Sequence, residues 1–281
     1  MIRSAVTVSL VPEARGGPFV LWDDLPAACK TASELGFDAI ELFAPNPDAV
    51  KPAHLRMLLD DYNLRLAAVG TGAGWVKHKL LLTAADSSDR SAALDFVRGM
   101  IDLGGPFDAP AIIGSMQGRW TEQVDRPTTL RYLGDALQTL GQHAAQYTTD
   151  GGKVPLLYEP LNRYETNLCC SMAAGVELIE SSGAANVKLL ADLFHLNIEE
   201  IDIAAAIKAA AAHVGHVHFV DSNRRAADEG HLDYTPIVAA LREINFAGYA
   251  SAEVLPWPDP SGAAELAITA YRHWFGNTPR G

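Results

Sequence analysis

Cysteine is scarce in this chain of 281 residues. Only Cys29, Cys169 and Cys170 occur, without a C-x-x-C pair or the spacing of a metal-binding set. An odd number of cysteines in a chain of this size is typical of reduced thiols rather than of a disulfide framework. The sequence therefore predicts a protein of a reducing compartment, and we expect it in the cytoplasm.

Clusters of basic residues are also missing. The chain has 22 Lys and Arg against 34 Asp and Glu, which gives a formal net charge of −12. Nucleic-acid binding needs Lys and Arg gathered along the phosphate backbone, and no such stripe is present. We expect no nucleic-acid partner. The acidic balance is compatible with a cation held by carboxylates.

Long apolar runs are absent as well. No segment approaches the roughly 18 uninterrupted apolar residues that a membrane helix needs. The apolar run near the N-terminus covers only Ala5 to Val11, stops at Pro12 and Glu13, and lacks a cleavage site of small residues. It predicts a first strand rather than a signal peptide, and we expect no membrane association.

Short apolar runs rich in β-formers alternate with longer amphipathic stretches. The predicted strands are 5–11, 38–43, 64–70, 109–115, 154–160, 187–193, 215–221 and 249–255. Amphipathic helices are predicted at 21–36, 128–147, 172–183 and 235–248, and a last helix follows the eighth strand. Gly183 and Gly248 are interpreted as helix C-cap signals.

Eight strand–helix units in alternation predict a parallel sheet, and eight is the number of strands that closes a barrel. An open doubly wound sheet would favour a glycine-rich first turn, but "PEARGG" after the first strand is not G-x-G-x-x-G. No linker or internal repeat divides the chain. The sequence predicts one (β/α)8 TIM barrel domain over residues 1–281, with its active site at the C-terminal ends of the strands.

Polar side chains stand at the ends of the last four predicted strands. Strand five ends at Glu159, strand six at Asp192 and strand eight at Glu253, and strand seven carries His218 near its end. In a barrel these ends meet at one mouth. Three carboxylates gathered there would repel one another, and a divalent cation would remove that repulsion. Carboxylates and one imidazole without a thiolate favour Mn²⁺, Mg²⁺ or Co²⁺ over zinc.

Each of these residues also has a simpler explanation. Glu159 could pair with Arg163, Asp192 could cap the next helix, and Glu253 could pair with a lysine. His216 and His218 share one face of their strand, so either could be the inward one, or both could be satisfied by backbone carbonyls. All four explanations would have to hold at once to remove the metal site.

The motifs "EPLNRYE", "ADLFHLNIEE", "GHVHFVDSNR" and "GHLDYTPIVAALREINFAGYASAEV" resemble the ketose 3-epimerase branch, D-tagatose 3-epimerase-like, of the sugar isomerase/epimerase barrels. That family is similar to xylose isomerase. The resemblance implies one divalent metal, with Mn²⁺ first and Co²⁺ or Mg²⁺ as alternatives, on Glu159, Asp192, His218 and Glu253. It also implies that Glu159 and Glu253 are the catalytic acid/base pair.

The resemblance further implies a substrate-binding set. His195 and Arg224 would hold oxygens on the carbonyl side of a small sugar, and Glu165 would orient His195 or a terminal hydroxyl. Relatives are often dimers or tetramers, so we expect a homo-oligomer.

The expected chemistry is proton transfer beside the carbonyl of a keto-sugar or keto-sugar acid. One carboxylate removes the proton, an enediolate forms, and proton return to the opposite face gives an epimer. A lyase or dehydratase acting on a keto-inositol or 3-oxo-glycoside is the alternative, and a non-catalytic binding subunit is another. Arg119 and Lys77 could meet a substrate carboxylate, and Trp75 and Trp120 a sugar face, or all four could belong to the rim.

Overall fold

A closed parallel sheet forms the centre of the molecule. The computed structural model describes residues 1–149 and 152–276. The barrel strands are β1 (Arg3–Ser9), β2 (Ala39–Phe43), β3 (Arg65–Gly70), β4 (Ala111–Ile113), β5 (Leu156–Tyr158), β6 (Val187–Asp192), β7 (Val214–His218) and β8 (Tyr249–Ala252). Each pairs in parallel with the next, and β8 pairs with β1 to close the barrel. The predicted (β/α)8 TIM barrel is confirmed, while the assignment of all 281 residues to one domain stays a prediction.

Helices cover the outside of the barrel. They are α1 (Leu25–Leu35), α2 (Pro52–Asp61), α3 (Ser87–Gly104), α4 (Arg126–Ala144), α5 (Met172–Ser182), α6 (Ile203–Ala209), α7 (Tyr234–Glu243) and α8 (Pro260–Phe275). Short helices at Ala73–Val76 and Leu193–Glu199 follow β3 and β6, and a short strand at Leu21–Trp22 pairs with β1. Two short strands, Thr148–Thr149 and Gly152–Lys153, pair antiparallel. Within the described ranges, no helix has the length and apolar character that crossing a bilayer requires.

Local sequence signals explain where several helices begin and end. Asp24 caps α1 by accepting the Ala27 backbone N–H, so the helix predicted from residue 21 begins at Leu25. Gly183 ends α5 with φ 67°, as predicted. The Gly248 prediction is wrong, because α7 ends at Glu243.

Gly248 serves a different purpose, close packing at the start of β8. Asn245, with φ 55°, takes the left-handed position after α7. A Cβ on Gly248 would lie 2.6 Å from the Phe246 ring and 2.9 Å from the Gly215 carbonyl oxygen. Glycine is needed there because the backbone approaches its neighbours closely.

The interior of the barrel changes from apolar to polar towards the C-terminal ends of the strands. Ala68, Ile112, Leu157 and Leu190 form a small buried cluster. Two residues further along β6, the same face carries Asp192, because side chains alternate along a strand. This periodicity places the polar side chains of several strands at one end of the barrel.

Candidate active site

Three of the four residues predicted at the strand ends converge on one atom of the fourth, Nδ1 of His218. It lies 2.9 Å from Asp192 Oδ2, 3.5 Å from Glu253 Oε2 and 3.6 Å from Glu159 Oε1. Glu159, Asp192 and His218 are buried, and Glu253 is partly exposed. The structure thus brings the four together, and their roles as ligands stay predictions.

Arg224 lies against the same cluster. Its guanidinium donates to Asp192 Oδ2 at 2.7 Å and also to Glu253 Oε2. Arg224 has φ 62°, a left-handed conformation that is uncommon for a residue with a Cβ and is found where the surrounding structure imposes it. The cation that pairs with Glu253 is therefore this arginine, not a lysine.

The structure also tests the simpler explanations for Glu159 and Asp192, namely a pair with Arg163 and a helix cap. Arg163 pairs with Glu199, its Nε lying 2.9 Å from Oε1, so it is not the partner considered for Glu159. Asp192 does cap the following short helix, since Oδ1 accepts the backbone N–H groups of Phe194 and His195. Its Oδ2 faces His218, so capping and a place in the cluster are compatible.

The three carboxylates of the cluster differ in pKa. Burial raises the pKa of Glu159 well above its usual range, and the charges of Asp192 and Glu253 add to the effect. Burial also raises the pKa of Glu253, against the opposing influence of Arg224 and His218. For Asp192, burial is outweighed by Arg224 and other nearby positive groups, so its pKa is lowered. Asp192 is therefore ionised more readily than either glutamate.

The donor set suits a divalent cation. Glu159, Asp192 and His218 each offer one ligand atom, and these atoms lie within 4.8 Å of one another. Gly114 leaves room for this arrangement, because a Cβ at its position would lie 2.5 Å from Glu159 Oε2. Oxygen donors with one imidazole match the preferences of Mg²⁺ and Mn²⁺.

Glu41 on β2 is a site residue that the sequence reasoning missed. Its Oε2 lies 2.8 Å from His216 Nε2 and its Oε1 lies 3.1 Å from His218 Nε2. Burial raises the pKa of Glu41, but the two imidazoles outweigh burial and hold it well below its usual range. A glutamate inside the buried strand "DAIELF" was the available signal, because a buried carboxylate needs a partner. Both histidines point inward, and His218 is the one that reaches the carboxylate cluster.

His195 is held as a neutral donor by Asn162, a second residue that the sequence reasoning missed. The Tyr164 backbone N–H donates to Asn162 Oδ1 at 2.9 Å, which turns the amide Nδ2 towards His195 Nδ1 at 2.7 Å. Nδ1 therefore accepts, and the ring hydrogen is on Nε2, which lies 3.8 Å from Glu159 Oε1. Burial lowers the pKa of His195 to about 4.

Glu165 contacts His195 less directly than expected. Its Oε1 accepts from Asn162 Nδ2 at 3.1 Å and lies 3.8 Å from His195 Nδ1. Asn162 therefore makes the hydrogen bonds to the ring, and Glu165 supports the asparagine. Glu165 also lines the pocket described below.

Replacing Asn162 by leucine is expected to lower turnover by about two- to tenfold, because the lost hydrogen bond contributes about 0.5–1.5 kcal/mol to holding the ring. The isosteric side chain keeps the packing but removes the amide that donates to His195 Nδ1. The measurement is kcat of the purified variant at saturating substrate, with ¹⁵N NMR reporting which ring nitrogen carries the hydrogen. An unchanged kcat would contradict the role given to Asn162.

A pocket of about 580 Å³ opens above the cluster. Much of its wall is apolar, formed by Phe19, Phe43, Val76, Leu161, Phe194 and Leu255. The Phe19 and Phe43 rings stack with centroids 4.9 Å apart. Trp75 and Trp120 are exposed, at 39% and 40%, and are not among the described residues that line the pocket.

Lys77 and Arg119, which were considered for a substrate carboxylate, and Arg15, which lines the pocket, are engaged with protein groups. Lys77 Nζ lies 3.0 Å from Glu13 Oε1, and Arg15 pairs with Asp23. Arg119 donates to the Tyr164 carbonyl oxygen at 3.2 Å. The rim interpretation of Lys77 and Arg119 agrees with these contacts.

Comparison with known proteins identifies the family. The sequence model of the xylose isomerase-like TIM barrel family matches residues 29–271. The chain belongs to this family. A D-psicose 3-epimerase of Agrobacterium fabrum is 29% identical over 271 residues, covering 90% of this chain and 88% of the relative. An L-ribulose 3-epimerase of Mesorhizobium japonicum is 28% identical over 226 residues, covering 80% of this chain and 73% of the relative.

Solved structures give the same fold. A D-psicose 3-epimerase crystallised in the presence of D-fructose matches with a TM-score of 0.79 and 22% identity, covering 98% of this chain and all of that one. The resemblance to ketose 3-epimerases that the sequence motifs predicted is confirmed, and the isomerase class of this xylose isomerase-like enzyme is confirmed with it.

Proposed function

We propose that this chain is a metal-dependent ketose 3-epimerase that inverts the carbon beside the carbonyl of an uncharged keto-sugar. The observation that carries the proposal is the convergence of Glu159 and Glu253 on His218 Nδ1 from two different strand ends, at 3.6 and 3.5 Å. Relatives named D-psicose 3-epimerase and L-ribulose 3-epimerase, matched over most of the chain, support the reaction class.

The metal site would consist of Glu159, Asp192, His218 and Glu253. Their oxygen-rich donor set favours Mn²⁺, with Co²⁺ and Mg²⁺ as alternatives. When bound, the ion supplies Lewis-acid polarisation of the substrate carbonyl and lowers the barrier to proton loss at the neighbouring carbon. The protein's own contribution is to hold the two glutamates in place and to move the proton.

The two glutamates divide the proton transfer. One carboxylate removes the proton beside the carbonyl, which leaves an enediolate, and the other delivers a proton to the opposite face. Glu159 follows β5 and Glu253 follows β8, so three strand positions separate them around the barrel. Two bases on separate elements are what inversion requires, because a single base returns the proton to the face it came from.

The remaining polar groups of the pocket would bind the substrate. His195 presents a neutral Nε2–H, which can donate to a sugar oxygen without supplying a full charge. Arg224 provides a fixed cationic donor at the edge of the cluster. Glu165 lines the same pocket and can accept from a hydroxyl.

The contacts around the mouth favour an uncharged substrate. Lys77, Arg15 and Arg119 are occupied by Glu13, Asp23 and a backbone carbonyl respectively. A phosphate or carboxylate on the substrate would have to break one of these contacts to gain a cation other than Arg224, which is itself paired with Asp192 and Glu253. The apolar wall suits the carbon backbone of a sugar, so the neutral ketose is favoured over the sugar acid.

The test is turnover of D-psicose, D-fructose and L-ribulose by protein stripped with a chelator, before and after Mn²⁺ is added. We expect epimers of unchanged mass, identified by NMR, only when Mn²⁺ is present. A product lighter by one water would identify a dehydratase instead. Bound Mn²⁺ without turnover of any of the three sugars would contradict the proposed substrate class.

A further inference from the structure

Glu41 joins two histidines across the inside of the barrel. It lies on β2, between Thr7 of β1 and Ala68 of β3 in the sheet register. β7, which carries His216 and His218, is not a neighbour of β2 in the sheet. The contact therefore runs through the barrel interior, and all three side chains are buried, at 5% exposure or less.

The hydrogen bonds fix where the imidazole hydrogens lie. An ionised carboxylate has no hydrogen to give, so both contacts of Glu41, at 2.8 and 3.1 Å, require a hydrogen on Nε2 of His216 and of His218. The other nitrogen of His218, Nδ1, faces Asp192, Glu159 and Glu253 and lies 2.9 Å from Asp192 Oδ2. Without a cation Nδ1 donates to that carboxylate, and a bound cation would take the place of its hydrogen. A histidine that binds a metal through one nitrogen commonly donates from the other to a carboxylate, which fixes ring orientation and increases ligand basicity.

We infer that Glu41 is a positioning residue that holds His218 with Nδ1 towards the three carboxylates, and that His216 braces Glu41. Glu41 and His216 would thereby set the affinity of the carboxylate cluster around His218 for a divalent cation. This inference rests on the proposed metal-dependent function. It assigns no role in proton transfer to Glu41, which reaches the cluster only through His218.

Glu41, His216 and His218 could also be considered as a second cation site, because their ligand atoms lie within 4.8 Å of one another. The hydrogen bonds favour the positioning role. A cation there would need both Nε2 atoms without hydrogen, whereas each already has Glu41 as its acceptor. The two possibilities predict different stoichiometries, one ion per chain against two.

The test is a titration of the metal-stripped full chain with Co²⁺ alone, in the absence of sugar, followed by the visible absorption of the bound ion and by competition with a chelator. We expect one ion per chain for the wild type. The Glu41→Gln variant should bind it about 10–100-fold more weakly, with a changed absorption spectrum. Glutamine keeps the shape but presents an N–H to one imidazole. The control is Glu34→Gln, an exposed position on α1, which should match the wild type.

A second variant keeps the test decisive if Glu41→Gln does not fold. His216→Gln removes the imidazole that donates to Glu41 Oε2 and leaves the hydrogen bond between Glu41 and His218. We therefore expect Co²⁺ binding to weaken by a smaller factor than in Glu41→Gln. Equal affinity in the wild type and in every folded variant of Glu41 and His216 would overturn the inference while leaving the proposed function standing. No Co²⁺ binding by the wild type would overturn the proposed function and the inference together. Two ions per wild-type chain and one after Glu41→Gln would show a second cation site instead.

Discussion

Glu253→Gln is expected to lower epimerisation in both directions by about 10²–10⁴-fold, the usual contribution of a positioned acid or base. The amide cannot take or give the proton that Glu253 exchanges with one face of the substrate. Glu159→Gln should have a loss of similar size, because inversion uses both groups in every turnover. The measurement is the initial rate from each epimer at saturating Mn²⁺. Metal content is determined in parallel, since both residues belong to the proposed ligand set.

Exchange in D₂O separates the two glutamates. Each variant retains the base for one face, so each should exchange the proton of one epimer without converting it, and the two variants should act on opposite epimers. Glu265→Gln, an exposed position on α8, is the matched control and should behave as the wild type. If both variants exchange the same epimer, or if either still epimerises at the normal rate, the division of labour between Glu159 and Glu253 is wrong.

Gly114→Ala is expected to reduce kcat/KM by about 10²-fold, the order of loss that displacement of a catalytic group by about 1 Å produces. The new Cβ would lie 2.5 Å from Glu159 Oε2, which is too close for nonbonded atoms. Glu159 must therefore move away from its place beside His218. The added methyl group should cost about 1–3 kcal/mol of stability, as overpacking typically does.

The measurement for Gly114 is kcat/KM together with thermal unfolding of the same preparation. Gly262→Ala, at the start of α8, is the control, and it should keep full activity because its Cβ would contact Pro258 and Asp259 rather than a residue of the cluster. Normal kcat/KM in a folded Gly114→Ala protein would show that Glu159 does not need its observed position.

The site residues at the strand ends could be predicted from the sequence because their placement depends on the two-residue periodicity of a strand. Alternation along each strand and the parallel arrangement place Glu159, Asp192, His218 and Glu253 at one edge, whatever the loops do. Helix ends were less predictable. Gly248 was interpreted as a C-cap, but glycine is needed there because the Phe246 ring packs closely against its backbone.

The contacts across the barrel could not be predicted from the sequence. Glu41 and His216 are 175 positions apart and belong to strands that are not paired, so neither spacing nor register connects them. The bond from Asn162 to His195 depends in the same way on how the loop after β5 folds over the short helix after β6. The cytoplasmic location and the homo-oligomeric state are predictions that nothing in the fold or the site tests.

We propose that this xylose isomerase-like barrel transfers a proton beside the carbonyl of a ketose. The deciding experiment is to let the wild-type protein, loaded with Mn²⁺, convert D-psicose or L-ribulose in D₂O, with the product analysed by NMR and mass spectrometry. We expect an epimer with one deuterium on the inverted carbon next to the carbonyl, and no such product without the metal. An epimer that contains no deuterium, or a product lighter by water, would contradict the proposed proton transfer.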